Sequence, residues 1–335
     1  MFLIRFLKNW TLPCAMAAGI VCHFVLYGVD ALAPWRPGAA VLGTRLMPVL
    51  IFLMLFFTFN KVDLRQLRPR LWQLELLAVQ TVASLLLAGA AMQFSASSAA
   101  KVVVEAALAC ALCPAATASA VITGKLGGSS AATTTFILAS NLWSAVLIAL
   151  LCPLVEPHPD LRFAALMGRM FGQVATQLIL PFLVAMAVRR WWPWLHAQCL
   201  RLRDISFYLW GLTLTIVTAQ TARTIADEGS HPLLEVGAAG AGLAVCVLYF
   251  VLGKTIGGHS GDRISGGQAL GQKNTGFAIW MAFAFLNPLA AIGPGSYVLW
   301  QNTFNSWQLW RHRRREERGL PNPVDRSALA EAARA

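Results

Sequence analysis

The chain has 335 residues, of which 57% are hydrophobic and only 13% charged, with a formal net charge of +12 and a mean hydropathy of +0.59. A soluble domain carries about 25% charged residues to wet its surface, so this composition excludes an ordinary globular protein. The Lys and Arg residues cluster between apolar runs and in the C-terminal tail, a membrane-topology pattern rather than a nucleic-acid footprint, and no nucleic-acid partner is expected.

Crossing ~30 Å of hydrocarbon takes ~20 apolar residues. About ten such segments follow one another along the chain, at 11–33, 43–60, 71–93, 102–124, 131–155, 163–188, 205–225, 233–256, 265–286 and 294–310. The first is expected to be a membrane helix and not a cleavable leader, because more spans follow it and no small-residue cleavage site is evident. Short connections then make residues 1–310 a single all-α integral membrane unit embedded in the lipid bilayer.

Orientation follows from the basic residues in the connections. With a cytoplasmic N-terminus, that side receives Arg5, Lys8, Lys61, Arg65, Arg68, Arg70, Lys125, Arg189, Arg190, Arg201, Arg203, Lys254, Arg263 and the tail from Arg311 onward. The other side receives Arg36, Arg45, Lys101, Arg162, Arg169 and Arg223. The positive-inside rule therefore predicts a multi-pass protein of the inner (plasma) membrane with both termini cytoplasmic. Residues 311–335 are expected to form a basic, disordered cytoplasmic tail, anchored at the membrane surface by Arg311-His312-Arg313-Arg314-Arg315.

Ten spans divide into five plus five, the arithmetic of an inverted repeat. Ser140-Asn141-Leu142-Trp143-Ser144 in the fifth span resembles Gln301-Asn302-Thr303-Phe304-Asn305 in the tenth, so Asn141 and Asn302 are expected as matching buried polar groups. The fourth and ninth spans each break their apolar pattern near the middle. In the fourth, Pro114 removes a backbone donor within Ala111-Leu112-Cys113-Pro114-Ala115-Ala116-Thr117-Ala118-Ser119-Ala120. The ninth carries Gly271-Gln272-Lys273-Asn274-Thr275-Gly276, too polar to face lipid. Broken helices at matching places mark a substrate site near the bilayer midplane, where half-helix N-termini meet an anion and freed carbonyls meet a cation.

Lys273 lies about nine residues into its span, roughly 13 Å along the helix and close to mid-membrane. An ammonium at that depth is functional by default and too deep to snorkel, though tying down the broken helix is the structural alternative. Glu105 sits eight residues from Cys113, about 12 Å from the break, too far to pair with Lys273 directly. Cys110 and Cys113 form a lone CxxC without a second pair or a His partner, read as packing rather than a metal site. The six His residues are scattered, and no nucleophile–base pair, paired acids or metal cluster is evident, so neither an enzyme nor a cofactor is expected.

The Pro114-x-x-Thr117-x-Ser119 and Gly271-x-x-Asn274-Thr275-Gly276 stretches, with the ten-span layout, resemble the bile acid:sodium symporter family and its bacterial relatives from about Lys61 to Trp310. Related anion, auxin and arsenite carriers share the architecture. The resemblance implies a panel of spans 1, 2, 6 and 7 and a core of spans 3–5 and 8–10, in which the broken fourth and ninth helices cross. It also implies two sodium sites, and here the sequence departs from the pattern. Ser119 and Thr133 match the first site, but its Asn position is Ala120 and its second fifth-span hydroxyl position is Ile137. Gln80 matches the second site, whereas the Glu common to both sites is Ala269 and the ninth-span Gln is Lys273.

The expectation is therefore a secondary transporter of a small carboxylate or sulfonate, working by alternating access without ordinary two-sodium symport. Proton-coupled or exchange carriage of the arsenite or auxin type, or a non-transporting membrane sensor, are the alternatives. Pro114, Thr117, Ser119, Gln272, Asn274 and Thr275 are the substrate and crossover candidates. Gln80 and Thr133 are remnants of cation sites, and Lys273 is a fixed or titrating charge in their place.

Overall fold

The computed structural model describes residues 11–61, 67–95, 98–157, 162–202, 205–227 and 232–333. Arg5, Lys8, Arg65 and Arg203 of the topology argument lie outside the described residues. In chain order the α-helices are α1 (Thr11–Gly28), α2 (Arg36–Phe59), α3 (Leu71–Ala91), α4 (Ala99–Leu112), α5 (Ala118–Lys125), α6 (Ser130–Val155), α7 (Phe163–Leu178) and α8 (Leu180–Trp191). They continue as α9 (Pro193–Arg201), α10 (Ile205–Asp227), α11 (Pro232–His259), α12 (Arg263–Gly271), α13 (Thr275–Phe285), α14 (Ile292–Glu317) and α15 (Arg326–Ala332).

Among the described residues, four stretches are long and apolar enough to cross a membrane alone: Asp30–Phe59, Leu71–Ala91, Ser130–Val155 and Pro232–His259. The bent pair α7–α8 makes a fifth if it counts as one span. Pro181, at the start of α8, causes that interruption, because its ring removes an amide and crowds the carbonyl one turn earlier. The chain is thus all-helical and multi-pass. The segments expected at 102–124 and 265–286 are each two short helices with an extended stretch between them.

The chain divides into two compact units, one of residues 1–61 and 175–232 and the other of residues 62–174 and 233–335. In the first, α10 lies against α1 and α2. Gly19 of α1 lets the backbones close in, since a Cβ there would sit 2.4 Å from the Thr215 carbonyl oxygen. In the second, α3 packs on α4 and α6, and the broken helices α5 and α12 contact one another. Here α11 and α12 touch backbone to backbone, and a Cβ on Gly253 would lie 2.4 Å from the Gly266 oxygen.

The C-terminal tail is a correction to the sequence reading. Helix α14 runs on to Glu317, and α15 docks the following segment onto the second unit, so the described tail is ordered rather than disordered. Asp325 is buried, and its carboxylate accepts from the Ile264 amide at 3.0 Å, the Ser265 amide at 2.7 Å and the Ser265 hydroxyl at 2.6 Å. It thereby satisfies orphan donors at the N-terminus of α12. Asp262 returns the favour by accepting from the Ser327 amide at 2.9 Å, and it is itself held by Trp72 Nε1 at 3.0 Å and Arg70 at 3.3 Å. Burial pushes the Asp325 carboxyl up, and the bonds from Ser265 and Ile264 oppose that shift. Charge density alone predicted a solvated tail; the two caps that dock it are single Asp residues with no periodicity to announce them.

The α11–α12 contact yields a stability prediction. Gly253→Ala should destabilise the protein by roughly 1–3 kcal/mol through overpacking. Gly240→Ala on the same helix meets nothing within 4 Å and should be neutral or slightly stabilising. Melting temperatures in detergent check this, and equal values for the two variants would contradict the close packing.

Candidate functional site: the crossing of two broken helices

Helix α4 is capped by Ser98, whose hydroxyl accepts from the Ala100 amide, and ends at Leu112. Pro114 disfavours helical geometry for the residue before it. Cys113 is accordingly extended, with φ −60° and ψ 136°. Helix α12 ends at Gly271, where a Cβ would lie 2.4 Å from the Phe250 ring, and Gln272 turns extended with φ −92° and ψ 115°. Asn274 then caps α13, its side-chain oxygen accepting from the Phe277 amide at 3.3 Å.

The two extended stretches pair antiparallel, with Ala115 opposite Lys273. The Ala116 amide donates to the Gln272 carbonyl, and the Asn274 amide donates to the Pro114 carbonyl, both at 2.9 Å. Two residues from neighbouring helices complete the ladder. Ser140 of α6 accepts from the Ala115 amide and Gln301 of α14 accepts from the Lys273 amide, again both at 2.9 Å. The freed carbonyls at the end of α4 are met by Gln80 of α3, whose amide nitrogen lies 3.2 Å from Leu112 O, 3.3 Å from Cys113 O and 3.0 Å from Ser144 Oγ. The Gly271 carbonyl receives the Tyr297 hydroxyl at 2.8 Å. Non-helical backbone at membrane depth is tolerated only when buried in protein in this way.

Pro114, Ser119, Gln272, Lys273, Asn274 and Thr275 are all buried at or beside the crossing. Thr117 is half-buried, makes no cap bond and leads into exposed Ala118, so the N-terminus of α5 is the part of the crossing that reaches open surface. Ser119 donates to the Ala116 carbonyl at 2.7 Å. Thr133 hydrogen bonds to Thr123 at 3.2 Å and to the Ser129 carbonyl at 3.0 Å. Ala269 and Ile137 are buried where the resemblance asks for a carboxylate and a hydroxyl.

Lys273 is 1% exposed, and its ammonium lies 4.7 Å from the centre of the Tyr249 ring with no hydrogen-bond partner among the described residues. The face of the ring offers it a cation–π contact. Glu105 takes no part: it lies 3.6 Å from Lys101 and accepts from the Asn287 amide at 2.9 Å, while Lys101 also pairs with Glu156. Other buried polar atoms around the crossing also lack partners, namely Gln80 Oε1, Gln272 Oε1, Asn274 Nδ2, Gln268 Oε1 and both side-chain heteroatoms of Asn141.

Asn302 is the misplaced candidate. It is half-buried and bonds to the Val298 carbonyl of its own helix at 2.8 Å, whereas Gln301 reaches the crossing. One residue turns a side chain by about 100° around the axis. Ser140 and Gln301, the residues before each Asn in the paired stretches, are the ladder partners that the Asn pair obscured. Tyr249, Tyr297 and Gln268 carried no signal beyond their apolar surroundings.

Residues 48–228, just over half of the chain, match the family model described as the Sodium Bile acid symporter family. The chain belongs to that family. Members of this family are transporters, not enzymes, so this member handles a small molecule in a membrane. The match includes the first break and stops short of the second, which the pairing of Lys273 with Ala115 brings beside it. No curated protein matches the chain.

The ladder separates the two neighbouring α14 residues. Gln301→Ala strands the Lys273 amide in the core and should cost roughly 1–3 kcal/mol. Ser140→Ala should cost a similar amount, and Asn302→Ala much less. Thermal unfolding of the three variants checks the order, and an Asn302→Ala loss equal to that of Gln301→Ala would contradict it.

Proposed function

We propose that this family member is a secondary transporter of a small carboxylate or sulfonate, operating by alternating access with a protein-borne ammonium where relatives hold sodium. The observation that carries this reading is the buried Lys273 ammonium at the crossing, facing Tyr249 and without a carboxylate partner among the described residues. A cationic crossing with the open N-terminus of α5 beside it favours an anionic cargo. Thr117 and Ser119 would line the approach, with Asn274 and Thr275 on the opposing half-helix.

The residues present do not fit sodium. No carboxylate stands at position 269, and the Lys273 ammonium stands in the same broken segment, so the crossing lacks the negative charge that a sodium ion would need. Lys273 as a fixed charge balances the site without leaving or entering the protein. The ladder partners also support the inverted repeat, since Ser140 and Gln301 occupy the same place in the two similar stretches and each holds the central amide of its own half's break. The division into two compact units supports the panel of spans 1, 2, 6 and 7 as far as spans 1, 2 and 7 and the later part of span 6 are concerned, and a core that carries the broken helices.

Function is tested by screening carboxylates and sulfonates for thermal stabilisation of the purified protein and carrying those that bind into counterflow in liposomes. Accumulation of labelled anion should be the same in sodium and in choline. Binding without counterflow would identify a sensor, and steep sigmoidal stimulation by sodium would contradict the fixed-charge reading. A second expectation concerns protons. Transport by the wild type should not follow an imposed pH gradient, and accumulation that does so and disappears in Lys273→Gln would show instead that the ammonium titrates during the cycle.

A further inference from the structure

The second unit holds a cavity of about 640 Å³ at the opposite end of α12 from the crossing, formed by the end of α11, the start of α12, the last turns of α14 and the segment before α15. Its volume falls within the ~300–1,000 Å³ typical of small-molecule sites. Four basic side chains line it, Lys254, Arg263, Arg311 and Arg315, together with His259 and His312, against one carboxylate, Asp325. That carboxylate is already committed, because it accepts the three bonds from Ile264 and Ser265 at the α12 N-terminus. Among the described residues none of the four bases forms an ion pair with an acid. Two of them rest on aromatic faces instead, Lys254 at 4.8 Å from the Phe304 ring centre and Arg311 at 5.7 Å from that of Trp307.

Cations gathered without counter-charge repel one another, an arrangement that an anion relieves. The uncharged lining is consistent with such a guest. Gln308 Nε2 is a buried donor with no partner, and Asn322 Oδ1 is a buried acceptor with none, so the wall offers an N–H to a phosphate oxygen and an acceptor to a hydroxyl. We infer that this cavity binds a phosphate-bearing anion, recognised by Arg263, Arg311, Lys254 and Gln308. Arginine guanidinium groups suit phosphate oxygens by matched fork geometry. The docked tail supplies one wall, so occupancy and tail docking support each other. A phospholipid headgroup with a free hydroxyl and a soluble phosphate present the same chemistry, and the test separates them.

Full-length protein, delipidated in non-ionic detergent, is titrated at constant ionic strength with sodium phosphate, with phosphatidylglycerol and with phosphatidylcholine of the same chains, and the melting temperature is followed. Saturable stabilisation by phosphate identifies a soluble anion, and stabilisation by phosphatidylglycerol alone identifies a headgroup. Arg263→Gln/Arg311→Gln should weaken the response by about tenfold or more, as loss of charge-assisted bonds does. Arg190→Gln/Arg313→Gln removes equal charge outside the cavity lining and should leave the response intact. Gln308→Met, which keeps every charge, should weaken it several-fold and carries the test if the double variant does not fold. No response to either phosphate ligand, an equal response to phosphatidylcholine, or full binding by the cavity variants would overturn the proposal.

Discussion

Two backbone hydrogen bonds between interrupted helices, Ala116 N–H to Gln272 and Asn274 N–H to Pro114, set the constraint that the rest of the second unit obeys. A helix broken inside hydrocarbon exposes amides and carbonyls that water cannot reach, each costing several kcal/mol if left bare. The two breaks solve that problem by pairing with one another, and the neighbouring helices satisfy what the pairing leaves over. Ser140 and Gln301 take the outward amides, while Gln80 and Tyr297 meet the ends of α4 and α12. Glycines at 253, 257 and 266 allow α11 and α12 to approach closely enough for the second break to sit where it does. The crossing is thereby held from four sides.

Electrostatics at that crossing distinguish this chain from the sodium-coupled pattern of its family. A buried ammonium without a carboxylate is expensive, and the cation–π contact with Tyr249 offsets only part of the cost. The four half-helix ends meeting there add partial charges of both signs. Among the unpartnered atoms nearby, the Gln80, Gln272 and Gln268 side-chain oxygens are acceptors that suit the electrostatics of a retained cation. In the proposed reading, a charge that cannot leave attracts an anion in every cycle but stores no ion gradient.

Much of this was legible in the sequence for identifiable reasons. Pro114 has a local steric effect that survives any tertiary context, and the polar run at 271–276 stands out against an apolar background, so both breaks could be placed. Lys273 was conspicuous because depth in a span can be counted. The ladder partners were harder: Ser140 and Gln301 are ordinary residues whose role depends on which face of α6 and α14 meets the crossing, and a one-residue offset diverted attention to Asn302. Composition reports solvation and so points to a solvated tail, whereas docking depends on Asp325 and Asp262, two residues more than sixty positions apart that cap each other's helices.

The claim that an ammonium stands in for sodium is tested most directly by the stability of Lys273→Gln measured in sodium and in choline. The account predicts that wild-type melting is the same in both salts, that the variant melts lower, and that sodium does not restore it because Ala269 supplies no carboxylate. Sodium-specific stabilisation of the wild type, or an unchanged melting temperature in the variant, would contradict it.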